Sequence, residues 1–199
     1  MRPDRLVPRC LSTFLLGAAL LLCGCVAMVK TGPGNVTVKD GLTVTSDGNW
    51  NRLDLPRAGN DEIWTSDGLP LDTLIFYVGV REGEALVVPP TGSARKPPAF
   101  RAGMGPNEIV ELYETSITQD GSAFKLDRLA PATFGGASGF RFEFTMVRKS
   151  DDVTLRGVAQ GAVVKGRLYL VAFRATRAHY FAKHLPRAEA LFRSALIKG

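Results

Sequence analysis

The sequence predicts an α+β domain, a largely antiparallel β-sheet flanked by helices, that follows an N-terminal signal helix. Two patterns predict the sheet. Apolar and polar residues alternate from Phe140 to Met146, as in a strand with one buried face. Asp40-Gly41 separates two short alternating segments, which is typical of a β-hairpin. Two amphipathic segments, one after Gly105 and one after Pro186, predict the helices.

The strands are expected in two groups, with the first helix between them. In the first half, residues 73–80 are apolar at nearly every position, so we expect this strand at the centre of a sheet covered on both faces. In the second half, an antiparallel meander is expected, with Lys165-Gly166 as a tight turn. Its predicted strands lie near residues 124–126, 140–146, 153–164 and 168–173.

The two helices have different boundary signals. The first helix begins with Pro106 in its first turn and with Glu108 near the positive end of the helix dipole. It ends at Asp120-Gly121. The end of the chain is expected to hold a short helical stretch at 178–183, followed by a terminal helix from Pro186 to Ile197.

The first 24 residues have the pattern of a secretion signal. A basic N-terminus precedes an apolar segment from Leu11 to Leu22. This segment is shorter than the ~20 apolar residues that a membrane-spanning helix needs, and it runs into small residues suited to cleavage. An uncleaved membrane anchor is the alternative interpretation, and the short length argues against it.

The four residues Leu22-Cys23-Gly24-Cys25 resemble the lipobox of bacterial lipoproteins. The resemblance implies cleavage between Gly24 and Cys25 and acylation of Cys25, with palmitate among the expected modifications. Acyl chains on Cys25 would then hold the mature chain in a membrane. Val26 stands where an aspartate would favour the inner membrane, so the resemblance implies the outer membrane, with the domain facing the periplasm.

This processing predicts three parts: a signal peptide at 1–24, a lipidated N-terminus and flexible tether at 25–35, and a single α+β domain at 36–199. The tether is expected to lack helix and strand because it is polar and rich in turn residues. All three cysteines lie in the signal or at the lipidation site, so the mature domain has no thiol for a disulfide or a metal.

The charge balance changes on processing as well. Losing three arginines and one aspartate with the signal lowers the formal net charge from +6 to +4. So small and diffuse an excess gives no reason to expect nucleic acid as a partner, but it suits a chain that lies beside anionic lipid.

The later part of the chain carries a second resemblance. Four features occur in a distinctive order, and a terminal helix with Phe192 on its apolar face follows them. The four features are Trp64, the strand 74–80, the helix from Asn107 and the segment 164–175. This order resembles the PsbP-like α/β/α sandwich superfamily over most of residues 44–197. The resemblance implies helices on both faces of an antiparallel sheet. It also implies partner binding rather than catalysis, since known members mostly bind partners.

The sequence departs from known catalytic and cofactor-binding motifs at particular residues. Gly103 to Glu108 begins like a dinucleotide-binding loop, but Glu108 replaces the last glycine and Pro106 lacks an N–H for the phosphate. Ser138 lies among small residues, yet Phe140 occupies a glycine position of the nucleophile elbow. We therefore expect no catalytic residue and no cofactor.

The two histidines give no metal motif. His179 and His184 are five residues apart, so they do not share one helix face, and we expect partly exposed surface histidines rather than metal ligands.

Basic residues gather around the C-terminal helices. The simplest interpretation is a solvated face, and the functional one is an interaction patch for anionic lipid or an acidic partner. The candidate patch consists of Arg174, Arg177, Lys183, Arg187 and Arg193.

Three functions are compatible with these sequence features. The leading hypothesis is a membrane-anchored, non-catalytic envelope lipoprotein that binds a protein partner or assists assembly of an envelope complex. A periplasmic carrier or sensor of a lipid or small apolar ligand is the second, and a large apolar cavity would favour it. The third is a hydrolase with an unrecognised site, which would need a cleft with perturbed carboxylates or with His179 or His184.

Overall fold

The computed structural model describes residues 28–54, 59–88 and 97–198. The predicted signal peptide, Gly24 and Cys25 lie outside the described residues. In chain order the elements are β1 (Met28–Lys30), β2 (Pro33–Val38), β3 (Leu42–Asp47), β4 (Asn51–Leu53), β5 (Asp61–Thr65), β6 (Asp72–Val80), α1 (Pro106–Ile117), β7 (Ala123–Phe134), β8 (Ala137–Val147), β9 (Thr154–Val164), β10 (Arg167–Thr176), α2 (Tyr180–Ser194) and β11 (Leu196–Ile197).

The main sheet has eight strands in the order β1-β4-β5-β6-β10-β9-β8-β7, and every neighbouring pair is antiparallel. Its centre is the pair β6 and β10. Every residue of β6 except Gly79 is buried, which confirms the prediction of a central strand with both faces covered. The predicted meander is also confirmed, as β7 to β10 follow one another in space as they do in sequence.

Different layers cover the two faces of the main sheet. On one face, α1 inserts Ile109 and Tyr113 into an aromatic core with Phe142 and Phe144. On the other face lie α2 and a three-stranded sheet in the order β11-β3-β2. Burying a side chain of this size contributes roughly 1.5–3 kcal/mol, so both layers stabilise the sheet. The predicted arrangement of a largely antiparallel sheet between helices is therefore confirmed.

The prediction of a strand-free tether is wrong for the part that the structure describes. Residues 28–30 form β1 and residues 33–35 belong to β2. Between them, the amide and the hydroxyl of Thr31 both donate to the carbonyl oxygen of Trp50, at 2.8 and 2.9 Å. Strand pairing satisfies the hydrogen-bonding groups of the backbone whatever the side chains are. In addition, β2 is an edge strand, where proline is tolerated.

The predicted break before Pro186 is also wrong. One helix, α2, runs from Tyr180 to Ser194 with Pro186 inside it. An internal proline costs about 3 kcal/mol in an isolated helix. Here the buried residues Phe181, Leu191 and Phe192 lie on both sides of the proline and hold the helix against the sheet. Ile197 lies in β11 and pairs with Leu42 rather than extending the helix.

Gly157 of β9 provides a test of this packing. A Cβ atom at position 157 would overlap the ring of Phe144, which is itself fixed between other aromatic rings. We predict that Gly157→Ala lowers the free energy of unfolding by about 1–3 kcal/mol, the usual cost of overpacking a core. Urea unfolding followed by tryptophan fluorescence would measure it.

Gly103 is the matched control, because a Cβ atom there has no neighbour within 4 Å. Gly103→Ala should leave the unfolding midpoint within error of the wild type. Equal midpoints for the two variants would contradict the packing described for Phe144.

Candidate functional site: a basic cleft at one end of the main sheet

A cleft of about 500 Å³ opens where β6 ends and β10 begins. Its walls are the turn between β2 and β3, the end of β6, the turn between β9 and β10, and the segment after β11. Five of the lining residues are cations, and Asp40 is the one carboxylate among them. The five cations, here called the cleft cations, are Lys39, Arg81, Lys165, Arg167 and Lys198.

The cleft cations keep their charge unbalanced. Within the described ranges, none of them forms an ion pair with a carboxylate. The ammonium groups of Lys39 and Lys198 donate to neutral oxygens, the Gly59 carbonyl at 3.3 Å and the Thr37 hydroxyl at 3.2 Å. A concave surface lined by one sign of charge concentrates ions of the opposite sign. The cleft is therefore suited to an anionic group.

Two tight turns bring cations to the cleft. Lys165 and Gly166 both have positive φ, 51° and 72°, as the central residues of a type I′ hairpin turn require. The predicted turn at Lys165-Gly166 is thus confirmed. Between β2 and β3, Lys39 and Asp40 likewise have φ of 46° and 57°, next to the predicted Asp40-Gly41 signal.

A β-bulge shapes the floor of the cleft. Tyr77 pairs with Leu170 and Val80 pairs with Leu168, so β6 has one residue more than β10 over this interval. Gly79 sits in the bulge with φ of +67°, which a residue with a Cβ rarely adopts. A Cβ there would lie 3.6 Å from the Tyr169 hydroxyl.

Tyr169 places a hydroxyl in the cleft. The residue is 6% exposed, and its ring lies between Gly41 and Gly79. Among the described residues, this hydroxyl has no hydrogen-bond partner, so it is available to donate to a bound oxygen. The lining residues include no histidine, cysteine or serine. The cleft therefore offers hydrogen-bond donors and positive charge to a bound anion.

The predicted C-terminal patch does not form one basic surface. In α2, Lys183 lies 2.6 Å from Asp67, and Arg187 lies 3.2 Å from Asp47. Arg193 lies 3.7 Å from Glu189 on the same helix.

The other two members lie on β10 and just after it. Arg174 faces the α1 side of the main sheet, where its guanidinium contacts the sulfur of Met146 at 3.8 Å. Arg177 is exposed just after β10. The interaction role of the patch stays a prediction.

His184 is not the surface histidine that the sequence predicts. Its side chain is 1% exposed, and its Nε2 donates to Asp67 Oδ2 at 2.6 Å. The spacing from Phe181 to His184, Ala188 and Leu191 is that of one helix face, so helical periodicity could have indicated its burial. His179 is exposed, as expected.

Oxygen atoms of Asp67 and Asp72 and a nitrogen of His184 lie within 4.8 Å of one another. The surrounding bonds do not suit a cation. Asp72 accepts the amides of Ser66 and Asp67, at 2.8 and 2.7 Å, and the hydroxyl of Thr65 at 3.1 Å. The ammonium of Lys183 lies against the same Asp67 oxygen that contacts His184. The group is a charge-paired network that holds α2 to the loop before β6.

The comparisons with solved structures concern the whole fold. The solution structure of cyanobacterial PsbP (CyanoP) from Synechocystis sp. PCC 6803 superposes with a TM-score of 0.56, at 10% identity, over 88% of this chain and 95% of that one. The Ran-binding protein Mog1p from Saccharomyces cerevisiae gives 0.52, at 10% identity, over 86% and 96%. The fold is PsbP-like. No family model matches the sequence, and no curated protein matches it.

At this level of identity the likeness shows the PsbP-like fold alone, and it confirms the predicted sandwich. It assigns no activity and no site residue to this chain. Within the described residues, no helix is long and apolar enough to cross a membrane.

Asp67 allows a test of the network around His184. Hydrogen bonds from Lys183, and after it from His184, hold the pKa of the Asp67 carboxyl below its ordinary value of 3.8. We predict that Asp67→Asn lowers the free energy of unfolding by about 1–2 kcal/mol at pH 7, because it removes the charge from both bonds.

The effect should depend on pH in one direction. The contribution of a carboxylate with a lowered folded-state pKa is present above its ordinary pKa and is lost as the pH falls through the folded-state value. Urea midpoints of the wild type and Asp67→Asn should therefore differ at pH 7 and converge below about pH 4. Asp152→Asn, at an exposed turn carboxylate, is the control. A difference that persists unchanged in acid would contradict the assigned role of the Asp67 charge.

Proposed function

We propose that this chain is a membrane-anchored, non-catalytic binding module of the cell envelope, and that its basic cleft holds negatively charged groups of its partner. The observation that carries the proposal is the convergence on one cleft of five cations that pair with no carboxylate in residues 28–54, 59–88 and 97–198. The sequence supplies the anchor, because the lipobox resemblance implies acyl chains on Cys25 and a position at the outer membrane facing the periplasm.

The sequence predicts an envelope protein as the partner. A protein would fill the cleft with aspartate or glutamate side chains, whose carboxylates accept bonds from arginine and lysine. Nucleic acid is not proposed, since the mature chain has only a small positive excess and is expected in the periplasm.

A carrier of an apolar ligand has weaker support. The two faces of the main sheet are filled by aromatic and aliphatic side chains from α1, α2 and the small sheet. An apolar depression at the surface is lined by Val153, Arg177 and Ala178. The basic lining of the sheet-end cleft suits a charged ligand instead.

A hydrolase also has weaker support. The ring nitrogens of His184 face Asp67 and Arg187, and neither contacts a serine or threonine hydroxyl. The hydroxyl of Ser66, which lies nearby, donates to the carbonyl oxygen of Asn49 at 3.0 Å. The described side chains around His184 therefore lack a paired nucleophile and base.

Crosslinking in cells, followed by mass spectrometry of the captured proteins, tests the proposal. We expect a defined envelope partner with the wild type and loss of that partner with Cys25→Ser, which removes the acylation site. The double variant Lys165→Gln/Arg167→Gln should also lose it, because it removes two of the cleft cations.

The matched control is Lys125→Gln/Lys149→Gln, which removes the same charge from the other end of the main sheet. It should capture the partner as the wild type does. Undiminished capture by the cleft variant would contradict the cleft as the binding surface, and undiminished capture by Cys25→Ser would contradict the need for the anchor.

A further inference from the structure

We infer that two copies of this chain associate through the outer edge of β7, with the two β7 strands antiparallel. The inference goes beyond the proposed function, because it concerns a surface that shares no residue with the basic cleft. It follows from the backbone groups that β7 directs outwards and from the side chains beside them.

β7 is the outermost strand on one side of the main sheet, and β8 pairs with it from end to end. Among the described strands, none pairs with its other edge. β7 has 12 residues, whereas β1, the outermost strand on the opposite side, has three. An open strand edge presents unpaired N–H and C=O groups to which another strand can bond. Within the described residues, β7 is therefore the long open edge of the main sheet.

The turn from β7 to β8 determines which backbone groups point outwards. Its two glycines, Gly135 and Gly136, have φ of 61° and 85°, as in a two-residue type I′ turn. The residues that flank such a turn exchange both of their backbone hydrogen bonds, and along an antiparallel pair these bonded pairs alternate with pairs whose groups point away. Counting back from the turn, Leu129 and Pro131 direct their backbone groups to the outer edge. Proline has no N–H to donate, so it is tolerated there.

A β-bulge changes the spacing of these outward groups. The register with β8 shifts between Leu126 and Arg128, which leaves Asp127 as an extra residue of β7. Leu126 and Leu129 therefore both direct backbone groups outwards, with two residues between them instead of one. A regular partner strand has one residue between such positions and loses its register at the bulge. A second copy of β7 has the matching spacing, because antiparallel pairing places its Leu129 opposite Leu126 and its Leu126 opposite Leu129.

The side chains on the α1 side of the sheet agree with this register. In β8, the residues opposite Leu126 and Leu129 are phenylalanines of the core beneath α1, so both leucines lie on the α1 side. Leu126 is 39% exposed at the edge. In the paired arrangement, Leu126 of each copy packs against Leu129 of the other. Apolar cross-strand pairs of this kind stabilise a sheet.

The opposite side carries complementary charges. Asp127 accepts a hydrogen bond from the Thr145 hydroxyl at 2.6 Å and lies 3.5 Å from the ammonium of Lys125. Arg128 is exposed, and within the described ranges it forms no ion pair. In the same register, Asp127 of each copy lies opposite Arg128 of the other. Opposite charges across two strands are stabilising, so the edge of β7 is complementary to itself.

The paired segment ends at Pro131. This residue lies opposite Phe124 of the other copy, where its carbonyl accepts a hydrogen bond but no N–H donates one. Beyond it, the Thr133 carbonyl already accepts the side-chain amide of Gln160 at 2.7 Å. Pairing therefore covers residues 124–131. The two main sheets join into one sheet across a two-fold axis between positions 127 and 128.

Disulfide crosslinking of the full-length chain tests the register. Two differently tagged copies are co-expressed, one with Leu126→Cys and the other with Leu129→Cys, and treated with a mild oxidant. Opposite residues of a bonded antiparallel pair have Cα atoms about 5.5 Å apart, a separation that a disulfide spans. We expect a disulfide-linked species that carries both tags. Wild-type copies control for crosslinks through the native cysteines.

The matched control has Leu126→Cys in both copies. In the inferred register these two positions are offset by about 10 Å along the strands, so the crosslinked yield should be about fivefold lower. Equal yields would overturn the inference, because contact would then not depend on register. Absence of the mixed-tag species, in protein whose buried Trp50 and Trp64 have native fluorescence, would overturn it as well.

A charge exchange tests the pairing of the polar side. Added to both copies of the crosslinking pair, Asp127→Arg places arginine opposite arginine, and we expect the yield to fall about fivefold. The exchange Asp127→Arg/Arg128→Asp restores opposite charges and should restore the yield. Asp54→Arg makes the same charge change just after β4, towards the other side of the main sheet, and should leave the yield unchanged. An exchange variant as impaired as Asp127→Arg would overturn the inferred register.

Two further points separate the alternatives. Capture of a different protein by Leu126→Cys, without the mixed-tag species, would overturn a second copy as the occupant of this edge. None of these substitutions changes a cleft cation, so failure of the inferred association leaves the proposed function and its own test unaffected.

Discussion

The pairing of β6 with β10 is the constraint on which the rest of the molecule depends. Both strands bury side chains on both faces, so neither face of the sheet tolerates water. Two covering layers are therefore required, and each needs its own apolar face. α1 provides one, and α2 together with the small sheet provides the other. The α/β/α arrangement is the consequence of one strand pair that is buried on both faces.

Filling both faces leaves the rim of the sheet for function. Side chains at strand ends and in turns lie at the surface, where a charge keeps its hydration, and a turn contributes residues from two strands at once. The cleft is built in this way, from two hairpin turns, a bulge and the segment after β11.

Features governed by neighbours in sequence could be predicted. Four of these features depend on only a few neighbouring residues, and the structure has each of them. They are the alternation of apolar and polar residues in β8, the apolar segment of β6, the turn at Lys165-Gly166 and the proline at the start of α1. The errors lie where tertiary packing outweighs local preference. Strand partners order residues 28–35 although these residues are polar and rich in glycine and proline, and the apolar face of α2 carries the helix through Pro186.

The cleft itself could not be predicted from local patterns. Its cations are spread from Lys39 to Lys198, and only the topology of two sheets brings them together. The sequence instead draws attention to the basic residues of α2, because those residues are close along the chain. Closeness along a helix says nothing about the loop that packs against it, and here Asp67 and Asp47 lie opposite Lys183 and Arg187. The local excess of positive charge on α2 is thus used in folding, whereas the cleft cations form no ion pair with any carboxylate in the described part of the chain.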